Sequence, residues 1–200
     1  MSKFMSAKEA VKLIKDGDSI AVSGNGGGIM EPDALFEALE DRFLDEGSPG
    51  NLTLTHSAGI GDKDRGGISR FAHEGMVKRV VGGHWGWSPK MQQMANDNKI
   101  EAYNLPQGII ALQYREIAAK RVGVVTQTGL KTFVDPRVSG GKLNDVTKED
   151  LVELVSMDGQ EWLRYKTYPV TVALIRGSIG DEEGNISLAY EPAYLEALAI

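Results

Sequence analysis

The chain has 200 residues, of which 42% are hydrophobic and 25% charged, with a net charge of −6 and no cysteine. These values are typical of a globular protein large enough to bury a core. No basic stripe indicates nucleic-acid binding, and no apolar run approaches the length that spans a membrane. Without cysteine there is no thiol nucleophile or thiolate metal site, and we expect a cytoplasmic enzyme or part of one.

Apolar runs alternate with helical patterns along most of the chain. A capping-box pattern from Ser6 to Glu9 predicts a helix that extends to about residue 15. The predicted strands are residues 19–22, 52–56, 77–81, 100–104, 122–126 and 170–176. The predicted helices between them are residues 32–44, 88–96 and 107–120. Buried strands that alternate with helices predict an α/β fold with an open, mostly parallel sheet and helices on both faces.

Residues 131–168 interrupt this alternation. Within them, residues 151–165 read as two strands joined at Asp158-Gly159, a dipeptide typical of hairpin turns, so we expect a small antiparallel excursion there. After Glu191-Pro192 the sequence is helical up to Ile200, with no capping residue. This ending predicts either a natural chain that continues or a short terminal helix that docks on the domain.

A glycine-rich turn follows the first predicted strand. Residues 24–28 lie between that strand and a helix with proline in its first turn, at the edge where open α/β sheets bind ligands. The turn is neither the dinucleotide fingerprint, because residue 29 is isoleucine, nor a Walker loop. We predict that its glycines let a ligand approach the backbone and that the helix N-terminus supplies N–H donors. The alternative is a tight turn without a ligand. The candidate substrate-binding residues of this turn are Gly24, Asn25, Gly26, Gly27 and Gly28.

A second candidate segment follows the predicted strand 100–104, where Gln107 and Gly108 open a helix. A side-chain amide can donate a hydrogen bond to a carboxylate or a carbonyl oxygen. The alternative is a residue that only faces water. We expect this helix start and the glycine turn to lie at one edge of the same cleft, on neighbouring strands. The histidines lack the spacing of metal ligands, so we expect no metal site.

Several segments along nearly the whole chain match the motifs of one known protein family, in the same order and with similar spacing. They are residues 23–32, 82–86, 88–89, 105–108, 128–137, 172–177 and 184–186. Together they resemble the N-terminal, α-subunit-like domain of family I coenzyme A transferases, in the form of the fused acetate/propionate enzymes. The segment Leu105–Gly108 looks like the Pro-Gln-Gly motif that opens a helix beside the active site in that family.

The resemblance implies a transferase that moves coenzyme A between short-chain carboxylic acids. A glutamate in the second half of such an enzyme attacks the acyl-CoA, and a mixed anhydride leads to a glutamyl-CoA thioester. The Ser-Glu-Asn-Gly motif of that nucleophile is absent here, so we expect no catalytic residue in this chain and no activity from it alone. The resemblance implies a missing C-terminal half or β-subunit, a homo-oligomer, and coenzyme A as substrate rather than as a permanent cofactor.

Other functions remain open on the residues alone. The same fold is used by acyl-CoA hydrolases and sugar-phosphate isomerases, and a non-catalytic module could use the glycine turn to hold a metabolite or an anion.

Overall fold

The computed structural model describes residues 3–191; the predicted terminal helix, from residue 191 onward, lies outside them apart from its first residue. The α-helices in this range are α1 Ala7–Ala10, α2 Asp33–Glu46, α3 Pro89–Asn96 and α4 Gln107–Ala118. The strands are β1 Ser19–Val22, β2 Leu52–His56, β3 Val77–Gly82, β4 Glu101–Asn104, β5 Gly123–Thr126, β6 Val152–Met157, β7 Gln160–Lys166, β8 Val172–Leu174, β9 Ile179–Gly180 and β10 Ile186–Ser187. Short 3₁₀ helices span Val11–Leu13 and Gly67–Phe71.

Five strands form the central sheet in the order β4-β3-β2-β1-β8, and every neighbouring pair is parallel. The chain runs outward from β1 through β2 and β3 to β4, and then returns to the other side of β1 as β8. This reversal makes the carboxyl ends of β1 and β8 a topological switch point, the place where open α/β sheets bind ligands.

The core has two parts, one on each face of the sheet, because successive side chains of a strand point to opposite faces. Ile20 and Val22 of β1 pack in the part that includes α2 and α3. Ala21, between them, packs on the other side with Ile110 and Tyr114 of α4. The predicted parallel sheet with helices on both faces is therefore confirmed, and its strands are buried on both sides as their apolar runs predict.

The antiparallel excursion is also confirmed, but it recruits one strand that the sequence assigns elsewhere. Strands β6 and β7 form the predicted hairpin, and its turn residues Asp158 and Gly159 have φ angles of 53° and 74°. Strand β5 was expected in the parallel series, yet it pairs antiparallel with β7, in the order β5-β7-β6. That placement was wrong because a four-residue apolar run does not specify its partner. The excursion thus begins at Gly123.

The N-terminal helix is shorter than the sequence predicts. The capping box forms, since Ser6 Oγ accepts the backbone N–H of Glu9 and the Glu9 carboxylate accepts that of Ser6. The α-helix nevertheless ends at Ala10 and continues only as a 3₁₀ turn to Leu13. Ile14 is already extended, with φ −81° and ψ 132°, because the chain turns there toward β1. None of the helices among residues 3–191 is long and apolar enough to cross a membrane.

Candidate functional site

The loops that follow β1, β2, β3 and β4 share the carboxyl edge of the sheet. The glycine turn 24–28 follows β1, segment 57–67 follows β2, segment 83–88 follows β3, and α4 begins just after β4. Both segments that the sequence singled out therefore lie on the side of the sheet where ligands are expected.

The glycine turn is a small closed loop. Asn25 and Ile29 exchange two backbone hydrogen bonds, with N···O distances of 2.8 and 3.1 Å, and the three glycines lie between them. Gly27 and Gly28 have φ angles of +81° and +83°, a conformation that residues with a side chain adopt only at a cost. At least these two glycines are thus required by the turn itself, whether or not a ligand approaches.

The space around the glycines separates two roles within the turn. A Cβ at Gly26 would lie 2.2 Å from Cε2 of Trp87, so this glycine makes room for an indole of the protein. A Cβ at Gly27 or Gly28 would meet no atom within 4 Å, so their exposed side is open. Of the five candidates in the turn, these two leave space that a ligand can enter.

Backbone N–H groups of the turn donate to acceptors within the protein. The N–H of Gly26 donates to Asn25 Oδ1 at 2.9 Å, and that of Gly27 donates to the Gly61 carbonyl at 2.8 Å. The N–H of Gly28 lies close enough to the Glu31 carboxylate to lower the pKa of that group. Neighbouring acceptors therefore already occupy the N–H groups of Gly26 and Gly27, and the predicted N–H donors at the N-terminus of α2 stay a prediction. The turn contributes open space beside Gly27 and Gly28 that a ligand can enter.

Glu31 is a residue that the sequence analysis missed. Its side chain is buried, with 3% of the residue exposed, and its Oε1 accepts the N–H of Gly61 at 2.8 Å. Burial raises the pKa of its carboxyl, while the N–H bonds from Gly61 and Gly28 oppose that rise. The signal in the sequence is an acidic residue between Met30 and a helix-opening proline, just before α2.

Gln107 is the first residue of α4 and is exposed. Its amide makes no hydrogen bond with any residue among 3–191, so it is available to a ligand. It does not follow a strand adjacent to the glycine turn, because β2 and β3 lie between β1 and β4. The expectation of neighbouring strands was wrong, since the chain runs outward one strand at a time. A Cβ at Gly108 would meet nothing within 4 Å, so the surface beside Gln107 is open as well.

Segment 83–88 connects the two candidate segments along the edge. At its start, a Cβ on Gly83 would lie 2.8 Å from Cγ of Gln107, so the backbone there approaches α4 closely. Farther along, the Trp87 indole packs between Gly26 and Gly59, whose Cβ would lie 2.4 Å from Cδ1 of that ring. The glycine turn and Gln107 are thus parts of one continuous wall, which we call the edge wall (residues 24–28, 57–67, 83–88, 107 and 108).

The edge wall contains two cationic residues, Lys63 and Arg65, and Lys63 lies over an indole ring. The Lys63 Nζ lies 4.8 Å from the centre of the Trp87 ring, and the backbone N–H of Lys63 donates to the Trp87 carbonyl at 2.9 Å. An ammonium over an indole face is attracted by the ring electrons. Lys63 itself is exposed, which leaves its charge accessible to an anionic ligand.

The segment after β8 reaches the turn from the other side of the switch point. Arg176 Nη1 lies 3.4 Å from the carbonyl oxygen of Gly28 and 3.5 Å from that of Glu31, so it contacts the backbone of the turn segment at two points. Its Nε and Nη2 each donate to the carboxylate of Glu191 at 2.8 Å. Sequence analysis placed residue 176 in a strand and assigned it no role.

His56 is a packed residue. Its Nδ1 donates to the carbonyl of Ala58 at 2.7 Å, and its ring meets Trp85 edge to face at a centroid distance of 6.4 Å. Complete burial lowers the pKa of His56 to about 4, so the ring is neutral near pH 7. Within residues 3–191 no three His, Asp or Glu side chains are placed to hold a metal ion.

A cavity of about 380 Å³ opens at the opposite, amino-terminal edge of the sheet. It is lined by Ser19, Thr53, Lys78, Arg79 and Tyr168, among others. Because it lies at the other end of the strands, it is not part of the edge wall.

The fold and the edge wall define the class: an α/β protein whose candidate binding loops lie at the carboxyl edge of a parallel sheet. Comparison with known proteins gives the family. The family model for coenzyme A transferase matches residues 4–200. The chain therefore belongs to the coenzyme A transferase family.

Two curated relatives and one solved structure are similar over almost the whole chain. Acetate CoA-transferase YdiF of Escherichia coli K12 is 45% identical over 196 residues, covering 98% of this chain and 37% of the relative. Caffeate CoA-transferase of Acetobacterium woodii is 44% identical over 200 residues, covering 38% of the relative. A crystal structure of the acyl-CoA transferase YdiF of E. coli O157:H7, a thioester complex with CoA, superposes with a TM-score of 0.95 at 45% identity, covering 98% of this chain and 38% of that one. The chain thus spans less than two fifths of these relatives.

Proposed function

We propose that this chain is the N-terminal part of an acyl-CoA:carboxylate CoA-transferase that acts on short-chain acids. The observation that carries the proposal is the 45% identity to an acetate CoA-transferase across 98% of the chain, with a TM-score of 0.95 to a CoA thioester complex. The 37% coverage of that relative supports a second half, or a β-subunit, that completes the enzyme.

In the proposed reaction a glutamate carboxylate of the second half attacks the thioester carbonyl of an acyl-CoA. The C–S bond breaks, a mixed anhydride forms and CoA leaves as a thiolate. The thiolate then attacks the glutamyl carbonyl of the anhydride, which releases the first carboxylate and leaves a glutamyl-CoA thioester. A second carboxylate reverses these steps and departs as the new acyl-CoA.

This chain would contribute one wall of that site. The Gln107 amide is free to donate a hydrogen bond to an oxygen on which negative charge develops, and such preorganised donors lower reaction barriers. The open sides of Gly27, Gly28 and Gly108 give the thioester room to approach. Lys63 adds a positive charge at the rim that favours anionic substrates. Gly24, Asn25 and Gly26 shape the turn that presents this surface.

Coenzyme A is the substrate in this proposal, and no permanently bound cofactor is invoked. We further propose a homo-oligomer in the cytoplasm, supported by the family resemblance alone. Size-exclusion chromatography with light scattering on the complete protein tests the oligomeric state, and a mass equal to one complete protomer would contradict it.

The test of the reaction is the intact mass of the complete protein after incubation with acetyl-CoA and no acceptor acid. A covalent adduct with the mass of CoA less water, removed when acetate is added, is the expected result. Steady release of free CoA and acetate with no adduct would indicate a hydrolase instead. Neither adduct nor turnover with a panel of short-chain acyl-CoA esters would favour a binding module.

A further inference from the structure

Glu31 places a carboxylate inside the edge wall, where it forms no salt bridge with any residue among 3–191. The guanidinium of Arg176, whose charge interacts with that of Glu31, is instead hydrogen-bonded to Glu191 twice, at 2.8 Å. The Glu31 carboxylate instead accepts the backbone N–H of Gly61 at 2.8 Å, and the nearby N–H of Gly28 also lowers its pKa. A buried carboxylate is costly unless hydrogen bonds compensate for the lost water, so these backbone N–H groups stabilise it.

The surrounding backbone is shaped to admit this side chain. A Cβ at Gly24 would lie 2.9 Å from Cγ of Glu31, and a Cβ at Gly67 would lie 2.9 Å from its Oε2. Gly67 also has a φ of +60°. Glycine at both positions thus leaves the space that the carboxylate fills.

The carboxylate fastens two loops of the wall together. It joins residue 31, just after the glycine turn, to Gly61 in the loop after β2. The Gly27 N–H donates to the Gly61 carbonyl at 2.8 Å. The N–H and the carbonyl of Gly61 are therefore both hydrogen-bonded to the segment that contains the glycine turn and Glu31. The other sides of Gly27 and Gly28 stay open, since both residues are exposed and a Cβ there would meet no atom within 4 Å.

We propose that Glu31 is a positioning residue of the transferase: its buried carboxylate fixes the glycine turn against the loop after β2 and so sets the clearance for the acyl thioester. This inference rests on the proposed function. Glu31 contacts no substrate in this account and acts through the backbone of Gly27 and Gly28.

The experiment replaces one acceptor at a time in the complete enzyme. Glu31→Gln keeps the side-chain shape but removes the charge and replaces one acceptor oxygen by an NH₂ group, so the amide can no longer accept hydrogen bonds at both ends as the carboxylate does. The matched control is Glu37→Gln, an exposed position on α2. We expect Glu31→Gln to lower the rate of enzyme–CoA adduct formation by about 10-fold to 100-fold, mainly through kcat, with the control unchanged.

Hydrogen exchange separates this proposal from the proposed function. In Glu31→Gln we expect faster amide exchange in peptides that cover residues 24–28 and 57–67, whether or not the wild-type protein transfers CoA. Unchanged exchange there would overturn the proposal that Glu31 holds the glycine turn against the loop after β2. Faster exchange, or a lower melting temperature, with a wild-type rate of adduct formation would show a merely structural role and overturn the positioning role. A wild-type enzyme that forms no adduct would refute the proposed function and, with it, the kinetic part of this inference.

A second variant covers the case in which Glu31→Gln fails to fold. Gly24→Ala leaves the carboxylate in place but crowds its Cγ, with the new Cβ at 2.9 Å. We expect it to slow adduct formation in the same direction by a smaller factor. A folded Gly24→Ala enzyme with a wild-type rate would count against Glu31 as the element that sets the clearance.

Discussion

Gly108 offers a cleaner test of ligand clearance than the glycines of the turn. Sequence alone favours Gly27→Ala for this purpose, but with φ at +81° an alanine there is strained regardless of the space around it. Gly108 lies in α4, has no positive φ and would place its Cβ in open space. A loss of activity at this position therefore cannot be attributed to a strained backbone.

We expect Gly108→Ala in the complete enzyme to stabilise the fold by about 0.5 to 1 kcal/mol, because alanine has the higher helix propensity. We also expect slower adduct formation, because the methyl group would occupy space that the thioester needs. Thermal melting and intact-mass kinetics measure the two effects. Higher melting with an unchanged rate would remove Gly108 from the site.

Gln107→Ala tests the proposed donor. Loss of one preorganised hydrogen bond to a developing negative charge typically costs about 3 kcal/mol in the barrier, or roughly a hundredfold in rate. Because Gln107 is exposed and its amide has no partner among residues 3–191, the melting temperature should stay within a degree or two of wild type, judged from the small effect of most surface substitutions. Wild-type acyl transfer by the variant would refute the role.

The raised pKa of Glu31 predicts a particular pH dependence of stability. Asp33 and Asp62 repel its charge and Arg176 attracts it, but burial dominates and raises the pKa above its ordinary value of 4.5. The folded state therefore binds more protons than the unfolded chain between 4.5 and the raised value, and stability falls as pH rises through that window.

The measurement is the free energy of unfolding of wild type and Glu31→Gln across that window. Since other groups titrate alike in both proteins, the stability of wild type relative to the variant should decrease as pH rises from about 4.5. A wild-type protein that gains stability over the variant with rising pH would show that hydrogen bonding, rather than burial, controls this carboxyl.

At the scale of elements, sequence patterns identify strands and helices far better than they identify which strands pair with each other. The apolar run 52–56 and the Asp158-Gly159 turn define β2 and the β6–β7 hairpin, because periodicity and turn chemistry are local. The pairing of β5 with β7 depends instead on a close approach at Gly123, which no local pattern indicates. The carboxylate of Glu31 was missed for the same reason, since its partner Gly61 is 30 residues away.

Gly123 is a position where a single substitution would disturb the pairing of β5 with β7. Its φ is +132°, and a Cβ there would lie 2.1 Å from the carbonyl oxygen of Tyr165. We expect Gly123→Ala to destabilise the protein by at least about 1 to 3 kcal/mol, through strain and displaced strand pairing. Denaturant unfolding of the complete protein measures the loss. A variant as stable as wild type would mean that β5 can shift without cost.

At the scale of the whole molecule, the carboxyl edge of the sheet carries the edge wall, which we propose as one wall of the substrate site. The glycine turn lies at the carboxyl edge of the parallel sheet, as the sequence predicted. The sequence could not predict that the N–H groups of Gly26 and Gly27 donate within the protein, because Asn25 Oδ1 and the Gly61 carbonyl become their acceptors only in the folded loops. The chemistry of the proposed enzyme depends on residues beyond this wall.

The most direct test of the central claim compares the 200-residue chain with the complete protein in one thioester-exchange assay. Each is incubated with acetyl-CoA and a labelled short-chain acid, and label in the acyl-CoA pool is followed over time. We predict exchange by the complete protein and none above the buffer blank by the 200-residue chain, because the proposed nucleophile is absent from it. Exchange catalysed by the 200-residue chain alone would contradict the account.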